Sequence, residues 1–456
     1  MNQPNNKPKP SARAAFATRI GAIATTAGAA VGLGNIWRFP YEAGAHGGGA
    51  FMLCYILFII ILGVPVMCSE FIMGRSARSN ELGAFRLYSK RRFWRLPAYM
   101  GIIASIMILS FYCVVAGWTV EYFVKSATGS LQLASQDEYR DAFVDFTSGN
   151  LRPLFWTIVF LLANAFVLLR GVSKGIEKMS NVLMPVLFLL LIAFCIHSLT
   201  LPGAGEGLRF LFTPDFSAIT PRVVLGALGQ AFFSLSIGLG CLMTYASYFT
   251  ADTRLGRTAM VTAGVDTLVA IIAGVIIFPA VFTFGVSPES GPTLVFEVLP
   301  SIFHRLPLGP LWSALFFFLL MLASITSTIS MSEINVSYLV EEKKMKRRTA
   351  VWLSTGVAML LGSLCCLSFG CLSGFTIGGM TIFDIFNSVS SDVMLPIGGM
   401  LISIFVGWLL PRHVIRREMT NGGAFRFRLL GLIIFSLRWV APVGIALILL
   451  NSIGIL

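Results

Sequence analysis

Two apolar stretches of the chain carry residues that a continuous helix would not favour. In the first, Gly28, Gly32 and Gly34 precede Arg38, Phe39 and Pro40; in the second, Ser234, Ser236, Gly238 and Gly240 stand together. A helix opened at such a point exposes amide donors at one new end and carbonyl acceptors at the other. Those groups can hold a small anion or cation away from water. Small residues also serve close helix contacts, so packing is the competing reading. The two stretches lie five apolar runs apart, and paired interruptions in corresponding halves of a chain point to a transport site between inverted repeats.

Other chemistry is poorly supplied. The eight cysteines (Cys54, Cys68, Cys113, Cys195, Cys241, Cys365, Cys366 and Cys371) lie in or beside apolar stretches without the paired spacing of a zinc site. They read as small buried hydrophobes. The four histidines are scattered. An enzyme needs a nucleophile–base pair or a metal cluster, and the apolar runs offer neither.

The elements that must position these residues follow from composition. Of 456 residues, 56% are hydrophobic and 12% charged, against roughly 25% charged in soluble domains. Too few charges remain to cover a soluble surface, so the chain reads as an integral membrane protein. Apolar runs fall near 20–41, 47–73, 97–124, 153–170, 180–199, 222–249, 258–285, 309–340, 350–368, 382–410 and 429–450. A span takes about 20 residues, which gives eleven candidate helices. None of the runs alternates as barrel strands would. The net charge of +13 sits in short blocks between runs, which argues against nucleic acid. With the N-terminus inside, 26 of the 34 Lys and Arg fall in cytoplasmic segments. The positive-inside rule then predicts a cytoplasmic N-terminus and an external C-terminus in the cell membrane. Residues 1–16 read as a cytoplasmic tail without a cleavage signal.

From Ala17 the sequence ATRIGAIATTAGAAVGLGNIWRFPYEAGAHGGGAF, followed by VPVMCSEFIMGR ending at Arg75, resembles the neurotransmitter:sodium symporter family, especially its bacterial hydrophobic amino-acid transporters. The likeness recurs in GQAFFSLSIGLGCLMTYASY (Gly229–Tyr248), in ASITSTIS (Ala323–Ser330) and in the Gly175 and Pro185 spacing. The resemblance implies an all-α polytopic fold of two inverted five-helix repeats, 17–199 and 222–411, with spans 1 and 6 broken. A cytoplasmic loop, 412–428, would lead to a peripheral eleventh helix in 429–456. It implies sodium-coupled symport of an amino acid by alternating access. An amino-acid-binding sensor that keeps the fold without net transport is the alternative. Lipid and a small amino acid are the expected partners, with no obligate protein partner.

The resemblance also assigns a site. The amides of Leu33 and Gly34 and the Tyr112 hydroxyl would meet the substrate carboxylate. Carbonyls of Ala30, Phe233 and Ser234 and the Ser236 oxygen would meet its ammonium. In monoamine-transporting relatives an Asp stands at the position of Gly32, so Gly here leaves the negative charge to the substrate. Ile108, Tyr112, Phe233, Leu239, Ser327 and Met331 would line the side-chain pocket. None is charged, and Leu239 replaces a larger aromatic, so a hydrophobic and even aromatic side chain should fit.

Two sodium ions are implied. The first would be held by Ala30, Asn35, Ser234 and Asp266 with the substrate carboxylate, the second by Gly28, Val31, Ala323, Thr326 and Ser327. Oxygen-only ligands suit a hard cation. The family usually has Asn where this chain has Asp266, and its chloride-dependent members add a Ser at the position of Ala270. A mid-membrane carboxylate costs about 2.5–3.5 kcal/mol on insertion scales and needs a partner. Asp266 is therefore expected to be the fixed anion beside sodium, with chloride not required. The resemblance implies gates as well: Arg38 with Asp384 outside, and Arg13 with Glu341 inside, near Tyr248 and Glu333. Glu70 should hold the amides freed by the breaks. Asp392 and the external segment 127–152 receive no role.

Overall fold

The computed structural model describes residues 15–133, 135–285 and 295–452. Among the described residues the backbone is helical, with only an isolated bridge between Ile377 and Met380. Among the described residues, nine helices are long and apolar enough to cross a membrane: Gly49–Ala77, Arg92–Ala127, Leu151–Leu169, Val172–Leu199, Leu255–Thr283, Gly309–Glu341, Arg347–Leu367, Ile382–Leu409 and Leu430–Leu447. A tenth is broken, its halves Ile20–Ala30 and Gly34–Ala45 meeting at 49°. Between Val172–Leu199 and Leu255–Thr283 lie Pro221–Ser234 and Cys241–Ala246, each too short to cross alone. Counting that pair as span 6 and the bent pair as span 1 numbers the helices in chain order to span 11. Helices prevail because lipid cannot satisfy backbone hydrogen bonds.

Spans 3 (Arg92–Ala127) and 8 (Gly309–Glu341) lie side by side at the centre. Polar ties join them: Asn335 donates to Ser105 at 2.9 Å, and the Ser126 and Ser313 hydroxyls meet at 2.8 Å. Spans 1, 4, 9 and 10 pack around this pair. Span 2 supports the second half of span 6, Cys241–Ala246, and Gly74 sets how closely. A Cβ at Gly74 would overlap the Met243 carbonyl oxygen and lie 2.9 Å from the Ala246 methyl.

Several short helices were not resolved by hydropathy. In the segment between spans 3 and 4, Gln136–Ser148 is capped by Ser135. Tyr139, Phe143 and Phe146 share one face, and Phe143 and Phe146 pack against Tyr122. The stretch 412–428, read as a loop, contains the helix Arg412–Met419. Arg75 at the end of span 2 fixes that helix by donating to Glu418 at 2.6 Å and to the Thr253 carbonyl.

Overpacking a tight contact costs about 1–3 kcal/mol. Gly74→Ala should therefore lower the Tm of the detergent-purified protein. Gly264→Ala, where a Cβ meets nothing within 4 Å, should not. Equal Tm values for the two variants would show that spans 2 and 6 are not held at backbone contact.

Candidate functional site

Span 1 stops because Val31 turns to an extended conformation (φ −70°, ψ 113°). In span 6, Ser236, Gly238 and Gly240 all take positive φ, at 52°, 88° and 76°. Gly238 is constrained twice, since a Cβ there would overlap the Leu395 carbonyl and lie 2.8 Å from the Gly399 amide. The freed groups find partners within the protein. Glu70 of span 2, fully buried, accepts from the amides of Gly238 at 2.7 Å and Met243 at 3.2 Å. Gln230 donates to the Gly34 carbonyl at 3.0 Å.

Between the breaks lies a small cavity. Ile108, Tyr112, Phe233, Leu239, Ser327 and Met331 all line it, with Ala30, Gly32, Gly34, Ser234 and Ser236 from the breaks and Leu395 from span 10. The Leu33 amide donates to the Tyr112 hydroxyl at 2.9 Å. Gly32 leaves no room for a side chain: its Cβ would stand 2.5 Å from Ser327 Oγ and 2.6 Å from the Tyr112 hydroxyl. The Ser236 hydroxyl is occupied by the Ala29 carbonyl at 3.3 Å. Leu395 was missed by the sequence reading, since one Leu in an apolar run carries no signal.

Against one wall lies a polar cluster. Asn35 Nδ2 donates to Asp266 Oδ1 at 2.7 Å and to Ser234 Oγ at 3.0 Å, while Asn35 Oδ1 accepts from the Gly32 amide at 2.9 Å. Ser234 donates to Asp266 Oδ2 at 2.8 Å. Tyr55 of span 2 donates to the same oxygen at 3.2 Å and to Ser234 at 3.1 Å. All four residues are buried. Asp266 is thus a buried carboxylate surrounded by neutral donors, with no cation among its hydrogen-bond partners in the described residues.

A second oxygen cluster joins span 1 to span 8. The Ser327 hydroxyl lies 3.3 Å from the Val31 carbonyl and 3.4 Å from that of Ala323. Thr326 bonds the Ala323 carbonyl at 3.0 Å. Gly28 comes close enough that a Cβ would sit 3.5 Å from the Thr326 Cβ. The Val31 and Ala323 carbonyls and the two hydroxyls thus gather oxygens of the kind a hard cation takes as ligands.

Of the expected gate pairs, the outer one is apart in this structure. Asp384 does not reach Arg38. It is the third residue of the helix Ile382–Ser388, and its carboxylate turns back to the Thr381 amide at 3.1 Å and hydroxyl at 2.7 Å. Arg38 instead lies over the Phe233 ring, 4.5 Å from its centroid, with Nε 3.4 Å from Glu42. Arg13 lies outside the described residues. Glu341 accepts from the Asn80 amide at 2.7 Å and side chain at 3.1 Å. Tyr248 donates to Glu333 at 2.8 Å. The strongest partner of Glu333 was not anticipated: Arg347 grips both carboxylate oxygens, at 2.9 and 2.6 Å. Arg347 belongs to a block of five basic residues, and nothing in the sequence marks which of them turns inward. Glu177 was missed too. It follows Gly175 and accepts from the Ala17 amide at 2.8 Å and from the Thr18 amide and hydroxyl, each at 3.1 Å, fixing the start of span 1.

Two broken helices meeting in the core of a helical membrane bundle, with a cavity and oxygen clusters at the breaks, define a secondary transporter. The chain belongs to the sodium:neurotransmitter symporter family, whose profile matches residues 13–145 and 144–455; these are transporters, not enzymes. A sodium-dependent transporter of Bacillus subtilis, YhdH, is 41% identical over 97% of this chain and 98% of its own length. One from Haemophilus influenzae is 36% identical over 90% and 92%. The crystal structure of MhsT in complex with L-phenylalanine matches with a TM-score of 0.89 and 43% identity, over 96% of this chain and 100% of that one.

Removing one partner of a buried ion pair costs about 3–5 kcal/mol, because the other charge stays buried. Arg347→Ala should destabilise by about that much. Adding Glu333→Gln should recover part of the loss, read as the coupling energy of a double-mutant cycle. Additive losses would mean that the two charges are already hydrated.

Proposed function

We propose that the protein couples sodium entry to the uptake of a hydrophobic L-amino acid, aromatic ones included, by alternating access and without chloride. The observation that carries this reading is Asp266, a carboxylate buried beside the break of span 1 and ringed by Asn35, Ser234 and Tyr55. A sodium ion beside it would replace neutral donors with a full charge. Ala30, Asn35, Ser234, Asp266 and the substrate carboxylate are its proposed ligands. Gly28, Val31, Ala323, Thr326 and Ser327 are those of a second ion. Each ion moving down 100 mV contributes about 2.3 kcal/mol, enough for two to concentrate a zwitterion strongly.

The substrate reading rests on the cavity. No ionised side chain lines it, and a charged substrate side chain would be left unpaired at a cost of several kcal/mol. The bound L-phenylalanine of MhsT supports an aromatic ligand. In this reading the amides of Leu33 and Gly34 and the Tyr112 hydroxyl take the carboxylate, displacing the present Leu33–Tyr112 bond. The carbonyls of Ala30, Phe233 and Ser234 and the Ser236 oxygen take the ammonium. Gly32, which leaves no room for an Asp, favours an amino acid over an amine. Phe233 beneath Arg38 closes the outer side, and Tyr248, Glu333 and Glu341 the inner side. The N-terminus is assigned to the cytoplasm and the C-terminus to the outside.

Asp266→Asn tests the anion. The variant keeps two hydroxyls, Tyr55 and Ser234, and gains an amide, a donor set that suits an anion. In proteoliposomes with chloride replaced by gluconate, sodium-driven uptake of L-phenylalanine should fall at least tenfold and recover when chloride is added. Uptake unaffected by the substitution would refute the role of Asp266. Sodium-dependent binding without uptake in the wild type would refute transport.

A further inference from the structure

Below the break of span 6 lies a second carboxylate that the symport reading does not use. Glu81 opens the short helix Glu81–Tyr88, which connects spans 2 and 3 outside the membrane-spanning segments, and Asn80 caps that helix. Its side chain turns inward and is 1% exposed. Neither of its oxygens has a hydrogen-bond partner among the described residues. It occupies space that only glycines leave. A Cβ on Gly240 would overlap Oε2 and lie 2.9 Å from Oε1. A Cβ on Gly101 would stand 2.6 Å from Oε2 and 2.7 Å from the Leu239 carbonyl. The carboxyl therefore sits against the residue at which span 6 resumes.

The groups around it offer no cation. Span 2 presents Glu70 and span 6 presents Cys241, the titratable groups with which Glu81 interacts. Arg86, on its own helix, is paired with Glu342. The adjoining turn carries Arg92 and Arg95, and neither bonds to Glu81. The two carboxylates differ in one respect: Glu70 has backbone amides to stabilise its charge, and Glu81 has none. Burial, with the neighbouring Glu70 charge second, holds the Glu81 carboxyl well above the usual carboxylate range.

We propose that Glu81 is a proton-binding site coupled to the inner half of span 6: it holds a proton while Cys241–Ala246 is packed against it and releases that proton to cytoplasmic water when this half moves away. The proposal rests on the alternating-access reading, because it requires the inner half of span 6 to move. Its sign follows from the two environments. The carboxyl is harder to ionise in the closed state than in the hydrated open one, so acid stabilises closure and alkali favours opening. The bias grows by at most about tenfold per pH unit between the two proton affinities. None of the residues assigned to the sodium sites hydrogen-bonds to Glu81, so this proton is separate from the ion at Asp266.

Two measurements on the full-length protein test it. At neutral pH the infrared spectrum should show the carbonyl stretch of a protonated carboxyl that Glu81→Gln removes. Alkylation of Cys241 by a membrane-permeant maleimide, read by mass spectrometry, should reach about tenfold faster in the wild type than in Glu81→Gln in alkaline buffer. In acid the two rates should match. Glu81→Met, a neutral side chain of similar length, should behave as Gln does and guards against a fault specific to the amide. An infrared band that survives both substitutions, or wild-type and variant rates that stay in constant ratio at every pH, overturns the proposal. The infrared result does not depend on transport, so a failure of symport is distinguishable from a failure of this site.

Discussion

A charge or a freed backbone group in the middle of a bilayer has to find its solvation inside the protein, and the architecture follows from that requirement. Breaking two helices creates unsatisfied amides and carbonyls that would be prohibitive in lipid. Here they are either bonded by buried side chains or turned toward a cavity. Glu70 takes two amides of the span 6 break, Gln230 takes a carbonyl of span 1, and the Tyr112 hydroxyl meets the Leu33 amide. The same logic governs Asp266, whose burial is tolerable only with Asn35, Ser234 and Tyr55 around it.

Glycine is the structural counterpart of this chemistry. Gly32 brings the break of span 1 within reach of Tyr112 and Ser327, and Gly238 lets span 6 pass against the backbone of span 10 at Leu395 and Gly399. A side chain at either place would push apart the helices that define the cavity. Because close-packed interiors shift between discrete arrangements rather than deform smoothly, such contacts also set which elements can move as units. Spans 3 and 8 carry polar ties at both ends of their interface, which suits a scaffold. The second half of span 6, Cys241–Ala246, is six residues long and is held by the Met243 amide donating to Glu70 and the Tyr245 hydroxyl donating to Ser330.

Most of the fold and the cavity were legible because they are written in local patterns. Hydropathy marked the spans, and the Gly- and Ser-rich interruptions marked the breaks; all six expected pocket side chains line one cavity. Boundaries were less legible. Span 5 begins at Val172, not near 180, because Lys174 and Lys178 interrupt the apolar pattern and look like loop residues. Long-range ion pairs were the least legible. Asp384 was expected on Arg38, but a carboxylate at the third position of a helix has a nearer partner in the cap, Thr381. Tyr55, Glu177 and Arg347 act through partners more than a hundred residues away or from within a uniform block, and neither situation leaves a periodic trace in sequence.

The central claim is that substrate and sodium are solvated together at the breaks, one sharing its carboxylate with the other. Linkage makes this measurable: if they share a site, each must raise the affinity for the other by the same factor. Equilibrium binding of L-phenylalanine to the detergent-purified protein, titrated at several sodium concentrations in gluconate buffer, is the most direct test. The account predicts that sodium tightens L-phenylalanine binding at least tenfold and that L-phenylalanine tightens sodium binding equally. L-phenylalanine affinity that is indifferent to sodium would contradict it.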